Sequence, residues 1–390
     1  MEQQMNRSRT STMVAMSGAL ASVVALSGCG ADDTAHDHER TPGAEPIALT
    51  YDGGIYVLDG ASLAQEGEVK LEGYNRLNPA GDADHLMVST KEGFRVFDAY
   101  AAEFTGTDYA AAKPGHVVRH AGKTVLFADG TGEVTVVDTD KIDSGKSSEV
   151  YKAATAHHGV ALELSNGNLL VTLGTEDSRV GLMALDKDRK EIARNEDCPG
   201  VHGEAAAQGE AVVVGCQTGA VVYRDGKITK VTSPTAYGRI GNMSGSEVSP
   251  IVLGDYKQDK EAELERPRQI SLVNTADGSL RLVDIGTSYT FRSLGRGPQG
   301  EALVLGTDGK IHVIDPVAGT EVRTIPVIGT WEEPLDWQDA RPALFVRGGI
   351  AYVTDPASKQ VHRVDLTDGK ITATATLAAT PDEITGVAAH

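Results

Sequence analysis

A sequence unit recurs roughly every forty to fifty residues along most of the chain, and this repeat limits the folds that the chain can adopt. In each unit, short apolar runs alternate with Asp-Gly, Asn-Gly or Gly-Gly turns, and helical periodicity is nearly absent. Seven such units begin at Arg76, His116, His158, His202, Arg239, Arg292 and Pro342. Short strands at even spacing indicate an all-β repeat architecture, and a period of this length is that of a four-stranded propeller blade.

The two ends of the chain supply the parts of one more unit. Residues 47–71 contain strands without an inner partner, and residues 383–389 form a single strand without a sheet of its own. Pairing them would close the ring and remove the exposed sheet edges that favour aggregation. We therefore predict one all-β domain over residues 46–390, a single β-propeller of eight four-stranded blades closed by both termini, with seven blades as the alternative.

The amino-terminal residues predict export. Arg7 and Arg9 precede an apolar run at residues 13–26, which is too short for a permanent membrane span and has the length of a signal-peptide core. The run ends in Leu-Ser-Gly followed by Cys29, which resembles the lipobox of bacterial lipoproteins. We expect residues 1–28 to be a lipoprotein signal peptide, Cys29 to carry the lipid, and the protein to be extracytoplasmic and anchored to the cell membrane.

Residues 29–45 are polar and aperiodic, which predicts a flexible leash between the lipid and the propeller. The leash contains His36, Asp37 and His38. These residues are either part of a solvated tail or a weak, mobile arm that collects metal ions, because imidazole and carboxylate groups both ligate zinc.

The net charge of −19 argues against whole classes of partner. Binding to nucleic acid or to anionic lipid through a basic face requires clustered Lys and Arg side chains, which this chain lacks. We expect a monomer that binds no nucleic acid and whose contact with the membrane is the lipid at Cys29.

Two of the three cysteines bracket a predicted hairpin. Residues 201–207 form its first strand, Gln208 and Gly209 the turn, and residues 210–215 its second strand. With Cys29 acylated, Cys198 and Cys216 are left, and an exported chain with two remaining cysteines most simply forms one disulfide. On the chain-entropy account a bridge of this span contributes about 3 kcal/mol to stability.

Histidines mark the start of three consecutive units. In a propeller the loop that leads into each inner strand opens on one rim of the central channel, so His116, His158 and His202 should converge there. Glu204 follows His202 at a spacing that places both side chains on one side of a strand. Three imidazoles and a carboxylate form a plausible zinc set. Only one of His157 and His158 can face the channel, and each histidine could instead hydrogen-bond its own turn.

Arginines occupy the same rim and favour a different function. Arg76, Arg239 and Arg292 begin other units, and guanidinium groups suit carboxylate or phosphate ligands. The alternative is therefore a propeller scaffold that binds a protein or an anionic small molecule at its central channel without metal. A hydrolase or lactonase on the same fold is a third hypothesis. We expect that the protein is not an enzyme, since the chain has no His-Glu-x-x-His motif and no convincing nucleophile elbow.

One further segment imitates a known motif. Residues 140–147, Asp-Lys-Ile-Asp-Ser-Gly-Lys-Ser, imitate a phosphate-binding loop, but Asp140 stands where the first glycine belongs. We expect an outer-strand hairpin there.

Several of these segments together resemble the periplasmic zinc metallochaperones of the AztD kind. The segments are Pro114-Gly-His-Val-Val-Arg-His, Phe127-Ala-Asp-Gly-Thr-Gly-Glu, His157-His-Gly-Val-Ala, Cys198-Pro-Gly-Val-His-Gly-Glu-Ala, Arg341-Pro-Ala-Leu and Tyr352-Val-Thr-Asp-Pro. The resemblance implies a β-propeller that binds zinc and hands it to the solute-binding protein of a zinc ABC importer. It also implies that His116, His157 or His158, His202 and Glu204 lie at the metal.

The chain departs from that family at two places. Residues 99–112 contain no histidine, whereas the family carries a loop rich in His and Asp there. Thr290 precedes Phe291 where the family tends to have a histidine. Fewer ligands imply weaker zinc binding, or its loss.

Overall fold

The strands of this chain form eight antiparallel sheets arranged around one axis as a β-propeller. The computed structural model describes residues 44–389. Each sheet has four strands in the blade order, and one sheet also includes the two-residue strand Gly238–Arg239, which pairs in parallel. This arrangement confirms the prediction of eight blades. The predicted signal peptide, Cys29 and residues 29–43 of the predicted leash, with His36 and His38, lie outside the described residues, as does residue 390.

The blades are numbered from the amino-terminal end of the described chain. Blades 1 and 2 contain β1 (Ile47–Tyr51), β2 (Gly53–Leu58), β3 (Gln65–Leu71), β4 (Arg76–Pro79), β5 (His85–Thr90), β6 (Gly93–Asp98) and β7 (Glu103–Ala110). Blades 3 and 4 contain β8 (Pro114–His120), β9 (Lys123–Ala128), β10 (Glu133–Asp138), β11 (Glu149–Lys152), β12 (Ala161–Glu163), β13 (Leu169–Gly174), β14 (Arg179–Leu185) and β15 (Glu191–Asn195).

The remaining blades complete the ring. Blades 5 and 6 contain β16 (His202–Ala207), β17 (Ala211–Cys216), β18 (Thr218–Arg224), β19 (Lys227–Thr232), β20 (Gly238–Arg239), β21 (Met243–Ser244), β22 (Ile251–Gly254), β23 (Gln269–Asn274) and β24 (Leu280–Asp284). Blades 7 and 8 contain β25 (Leu294–Arg296), β26 (Ala302–Leu305), β27 (Lys310–Asp315), β28 (Thr320–Pro326), β29 (Leu344–Arg347), β30 (Ile350–Asp355), β31 (Gln360–Asp365) and β32 (Lys370–Thr376). The last strand, β33 (Ile384–Gly386), belongs to blade 1.

The two ends of the described chain close the ring within blade 1. β33 is the inner strand of that blade and pairs antiparallel with β1, with Ile47 opposite Gly386 and Leu49 opposite Ile384. The backbone N–H of Thr50 donates to the carbonyl oxygen of Glu383 at 3.0 Å. The predicted closure is therefore confirmed, because blade 1 combines strands from both ends of the described chain.

Burial along the strands follows their position in a blade. The middle strand β17 is buried along its whole length, because it lies between two neighbouring blades. The outer strand β32 is largely exposed and carries Lys, Thr and Ala side chains. Apolar residues thus fill the interfaces between adjacent blades rather than one central core.

One connection contains a helix that the sequence did not predict. Strand β10 pairs antiparallel with the outer strand β11, so residues 140–147 belong to the predicted outer-strand hairpin, and the loop of this hairpin contains a 3₁₀ helix at Thr139–Ser144. It ends at Gly145, which has a left-handed backbone conformation. Over residues 44–389 the structure contains no helix of the length and apolar character needed to cross a membrane.

Candidate metal centre

Three histidines from three consecutive blades meet at one end of the axis. His116 lies in β8, His158 lies in the loop before β12, and His202 is the first residue of β16. The ring centroids are 5.1 Å apart for His116 and His158, 5.2 Å for His116 and His202, and 5.0 Å for His158 and His202. One nitrogen of each ring lies within 4.8 Å of a nitrogen of the other two. We call these residues the histidine cluster.

Each ring has an oxygen near its Nδ1 atom. Nδ1 of His158 lies 2.5 Å from Oδ2 of Asp129, and Nδ1 of His202 lies 2.7 Å from the carbonyl oxygen of Gly241. Nδ1 of His116 lies 3.5 Å from Oε2 of Glu204. A neutral imidazole has one N–H, so placing that proton on Nδ1 leaves the lone pair on Nε2. The two hydrogen bonds therefore favour, in His158 and His202, the tautomer in which Nε2 can bind a metal ion, and the Glu204 carboxylate lies on the Nδ1 side of His116.

The contact between His202 and Gly241 depends on the glycine at position 203. Gly203 has a φ of +70°, and a β-carbon there would lie 2.3 Å from the carbonyl oxygen of Gly241. The pairing of β16 with β17 shifts between His202 and Glu204, so Gly203 forms a bulge. This bulge lets blade 6 approach closely enough to hold the His202 ring.

The surroundings of His202 favour its neutral form. Burial lowers the pKa of His202 well below its usual value, and the charges of His116, His158 and Arg239 lower the pKa further, against the hydrogen bond to Gly241. A neutral imidazole is the form that ligates metal. At neutral pH this ring is therefore available as a ligand.

His157 points away from the histidine cluster. Its side chain is 3% exposed, and its Nδ1 lies 2.8 Å from the carbonyl oxygen of Thr155 while Nε2 lies 3.1 Å from Oγ1 of Thr172. The ring also packs edge-on against Phe127, with the ring centroids 5.2 Å apart. Of the two histidines that the sequence left open, His158 faces the axis, and its side chain is 43% exposed.

The structure brings Asp129 to the site, which the sequence did not predict. Asp129 lies in the turn after β9, and its Oδ1 also accepts a hydrogen bond from the backbone N–H of Gly159 at 3.3 Å. In sequence it reads as an Asp-Gly turn, and only its place in the segment 127–133 shared with the metallochaperones could have drawn attention to it. Glu204, which was predicted as a ligand, lies beside His116 and outside the histidine cluster.

The three predicted rim arginines have different surroundings. Arg292 is buried and forms ion pairs with Asp382 and, at 3.1 Å, with Glu383. Arg76 is half exposed, and its Nε lies 3.3 Å from the same Glu383. Both border a cavity of about 200 Å³. Only Arg239 approaches the histidine cluster, because its guanidinium packs against Gly241.

The predicted disulfide is present. Cys198 and Cys216 are joined across a separation of 18 residues. The bond ties the segment just before His202 to the end of β17 and so fixes both ends of the hairpin whose first residue belongs to the histidine cluster.

Fold and geometry together define an eight-bladed β-propeller with a three-histidine cluster at one end of its axis. The chain is similar to the zinc chaperone AztD of Citrobacter koseri, with 25% identity over 301 residues that cover 74% of this chain and 69% of the relative. This similarity confirms the resemblance that the sequence motifs indicated. No family model matches the chain.

Solved structures support the same fold. The structure of apo AztD from Citrobacter koseri has a TM-score of 0.73 and 22% identity, covering 88% of this chain and 96% of that one. A crystal structure of Citrobacter koseri AztD has a TM-score of 0.70 with the same identity and coverage. The computationally designed protein Ika8 has a TM-score of 0.55 and 14% identity, covering 80% of this chain and 94% of its own. At these identities the likeness concerns the fold alone.

Proposed function

We propose that this protein binds zinc at the histidine cluster and stores it or delivers it to the solute-binding protein of a zinc ABC importer, without chemical turnover. The observation that carries the proposal is the convergence of three imidazoles whose Nδ1 atoms each face an oxygen. The similarity to a protein named as a zinc chaperone supports zinc as the cargo.

The donor set fits zinc. Zinc accepts neutral imidazole nitrogens at about 2.0–2.1 Å and prefers four donors in a tetrahedral arrangement. The three ring nitrogens, which lie within 4.8 Å of one another, would draw closer around one ion through small side-chain rotations. Three protein ligands leave the fourth position to an exchangeable group, which suits a protein that must release its cargo.

Release to a partner also requires access from solvent. His158 is the most exposed member of the histidine cluster, so an incoming ligand can approach the ion from its side. Rigid strands and a disulfide hold His202, whereas His158 is held by a loop and by Asp129. We infer that zinc leaves by way of His158.

The proposed location is outside the cytoplasm, with lipid at Cys29 as the anchor. The Cys198–Cys216 disulfide supports an oxidising compartment.

A competition titration with a fluorescent zinc chelator tests the proposal. Protein without its lipid should bind one zinc ion more tightly than micromolar, and His116→Ala, His158→Ala and His202→Ala should each weaken binding strongly, because each removes one of three donors. His362→Gln, which changes a histidine hydrogen-bonded to Thr374 in blade 8, is the control and should leave affinity unchanged. Affinity no tighter than micromolar in the wild type, or unchanged affinity in the three variants, would contradict the proposal.

Delivery is tested separately by mixing zinc-loaded protein with the metal-free solute-binding protein in the presence of excess chelator. Direct transfer predicts that zinc reaches the acceptor although the chelator captures free zinc. Zinc found only on the chelator would leave storage as the function and rule out delivery to that partner.

A further inference from the structure

Two arginines flank the histidine cluster on the side of blades 4, 5 and 6. The guanidinium of Arg239 packs against Gly241, whose carbonyl oxygen accepts the hydrogen bond of His202. Arg179 is the first residue of β14, and its own carbonyl oxygen accepts a hydrogen bond from the N–H of Gly200 at 2.8 Å, two residues before His202. Both arginines therefore belong to segments that contact the neighbourhood of His202.

The two guanidinium groups are close enough to influence each other. Burial lowers the pKa of Arg179, the positive charge of Arg239 lowers the pKa further, and Asp129 opposes both effects. Asp129 is the residue that holds His158. Arg179 thus lies within the electrostatic field of both the second arginine and the carboxylate behind the histidine cluster.

One nitrogen of Arg179 has no partner. Its Nη1 atom is buried and forms no hydrogen bond within residues 44–389. Buried guanidinium nitrogens are almost always paired, because an unmade hydrogen bond to a buried charged donor is costly. The orphaned donor indicates a hydrogen-bond acceptor that is not part of the described chain.

The charges around the histidine cluster indicate the kind of acceptor. Asp129 and Glu204 carry negative charges that Arg179 and Arg239 balance, and the three imidazoles are neutral when they bind metal. A zinc ion placed there would retain its full positive charge. Its fourth donor would therefore be favoured as an anion, and carboxylate is the anionic oxygen ligand that zinc takes in proteins.

We propose that Arg179 and Arg239 form a receptor for a carboxylate group that completes the coordination of the metal bound by the histidine cluster. This inference rests on the proposed zinc binding. The planar guanidinium can hold a carboxylate through hydrogen bonds while a carboxylate oxygen contacts the ion. The carboxylate belongs either to a small organic acid or to an Asp or Glu side chain of a protein that approaches the rim.

The test measures zinc affinity with and without a carboxylate in a buffer of weakly coordinating anions. In the wild type, acetate should tighten zinc binding about tenfold, as expected for a hydrogen bond between charged groups. Arg179→Met and Arg239→Met should each abolish this effect, so that the zinc affinity of each variant is the same with and without acetate. Arg76→Met, at the same rim but paired with Glu383, is the control and should keep the acetate effect.

Cobalt supplies a second readout that does not depend on affinity. Acetate should change the visible absorption of the cobalt-loaded wild type by replacing a water ligand, and should leave the spectra of the two methionine variants unchanged. Arg179→Lys keeps the charge and loses the planar fork, so it should retain only part of the effect if the fork matters. Circular dichroism of each variant establishes that it is folded before titration.

The outcomes separate this inference from the proposed function. Absence of zinc binding in every buffer overturns the proposed function itself. Zinc binding that is indifferent to acetate, or an acetate effect that survives both methionine variants, overturns only the carboxylate receptor. A glutamate-containing peptide and its glutamine analogue distinguish the two sources: a glutamate-dependent effect far larger than that of acetate indicates a protein side chain, and an equal effect indicates a small acid.

Discussion

Asp129 orients His158 from outside the histidine cluster, because its carboxylate lies against Nδ1 and so directs Nε2 towards the axis. Replacing such a carboxylate typically lowers metal affinity by about 10–100-fold, since the ring loses both its orientation and part of its basicity. We therefore expect Asp129→Asn to weaken zinc binding by that range in the chelator competition. Asp177→Asn, at an exposed turn, is the control, and equal affinity in both variants would contradict the assigned role.

The neighbouring histidines should respond differently to the same change. His158→Gln should lose most of the zinc affinity and little stability, since its side chain is partly exposed. His157→Gln should keep the zinc affinity and lower the temperature of unfolding, because its ring is buried between Thr172 and Phe127. Loss of zinc binding in the His157 variant alone would reverse the assignment.

The contact between His85 and Asp82 predicts that the stability of the protein depends on pH. His85 Nδ1 lies 2.7 Å from Oδ2 of Asp82; burial acts to lower the pKa of His85, but Asp82, with Asp98 and Asp143, raises it above its usual value. The same hydrogen bond outweighs burial and lowers the pKa of Asp82. The stabilisation by His85 is complete below about pH 6.5 and is lost as pH rises through the raised pKa, while that by Asp82 is lost in acid.

The pair should therefore stabilise the protein most in weakly acidic solution. The free energy of unfolding in urea should differ more between the wild type and His85→Gln at pH 6 than at pH 8.5 (about these values). The same difference at both pH values would show that His85 gains no proton on folding.

At this scale the sequence was most informative about residues that mark a blade. His116, His158 and His202 were recognised because each begins a unit, and equivalent positions in a propeller lie on one rim. Asp129 and Gly241 were not recognised, because their contacts cross between neighbouring blades and no local pattern encodes them. The choice between His157 and His158 likewise depends on packing against Phe127.

The hairpin of β16 and β17 contributes both to stability, through its disulfide, and to the candidate metal centre, through His202. Its disulfide closes a span of 18 residues, and removing such a bridge should cost about 3 kcal/mol on the chain-entropy account. We expect the double variant Cys198→Ser and Cys216→Ser to show this loss in urea unfolding, and the wild type to show it in reductant. Equal stability of oxidised wild type and variant would mean that β-sheet pairing alone holds the hairpin.

Local sequence signals predicted the strands better than the short helix at Thr139–Ser144. The hairpin and most strands were predicted from turn residues and apolar runs, since both signals are local. The 3₁₀ helix at Thr139–Ser144 was missed because Ile142 is buried against neighbouring side chains that are distant in sequence. Tertiary packing thus overrode a segment whose composition suggested only a turn.

On the scale of the whole molecule, Glu383 is the residue at which the contacts that close the ring meet. Its carboxylate accepts hydrogen bonds from the N–H of Leu77 at 2.8 Å, from Tyr74 Oη at 2.8 Å and from Arg292 Nη2 at 3.1 Å. These contacts join the carboxy-terminal strand to blades 2 and 7. The carboxylate thus connects segments that are about 300 residues apart in sequence.

We expect Glu383→Gln to lower the free energy of unfolding by about 2–3 kcal/mol, because the buried Arg292 loses a counter-charge and one of the two acceptor oxygens becomes an amide nitrogen. The exposed Asp368→Asn is the control, since its carboxylate pairs with Lys370 at the surface. Urea unfolding measures both variants, and equal stability of the two would show that strand pairing alone closes the ring.

One zinc ion should bind where three blades present their histidines. An anomalous difference map at the zinc edge, from crystals of the protein with one equivalent of zinc, tests it most directly. We expect one peak within bonding distance of Nε2 of His116, His158 and His202. A map with no peak there, or with its peak at other donors such as His312, Asp308 and Glu321, would contradict it.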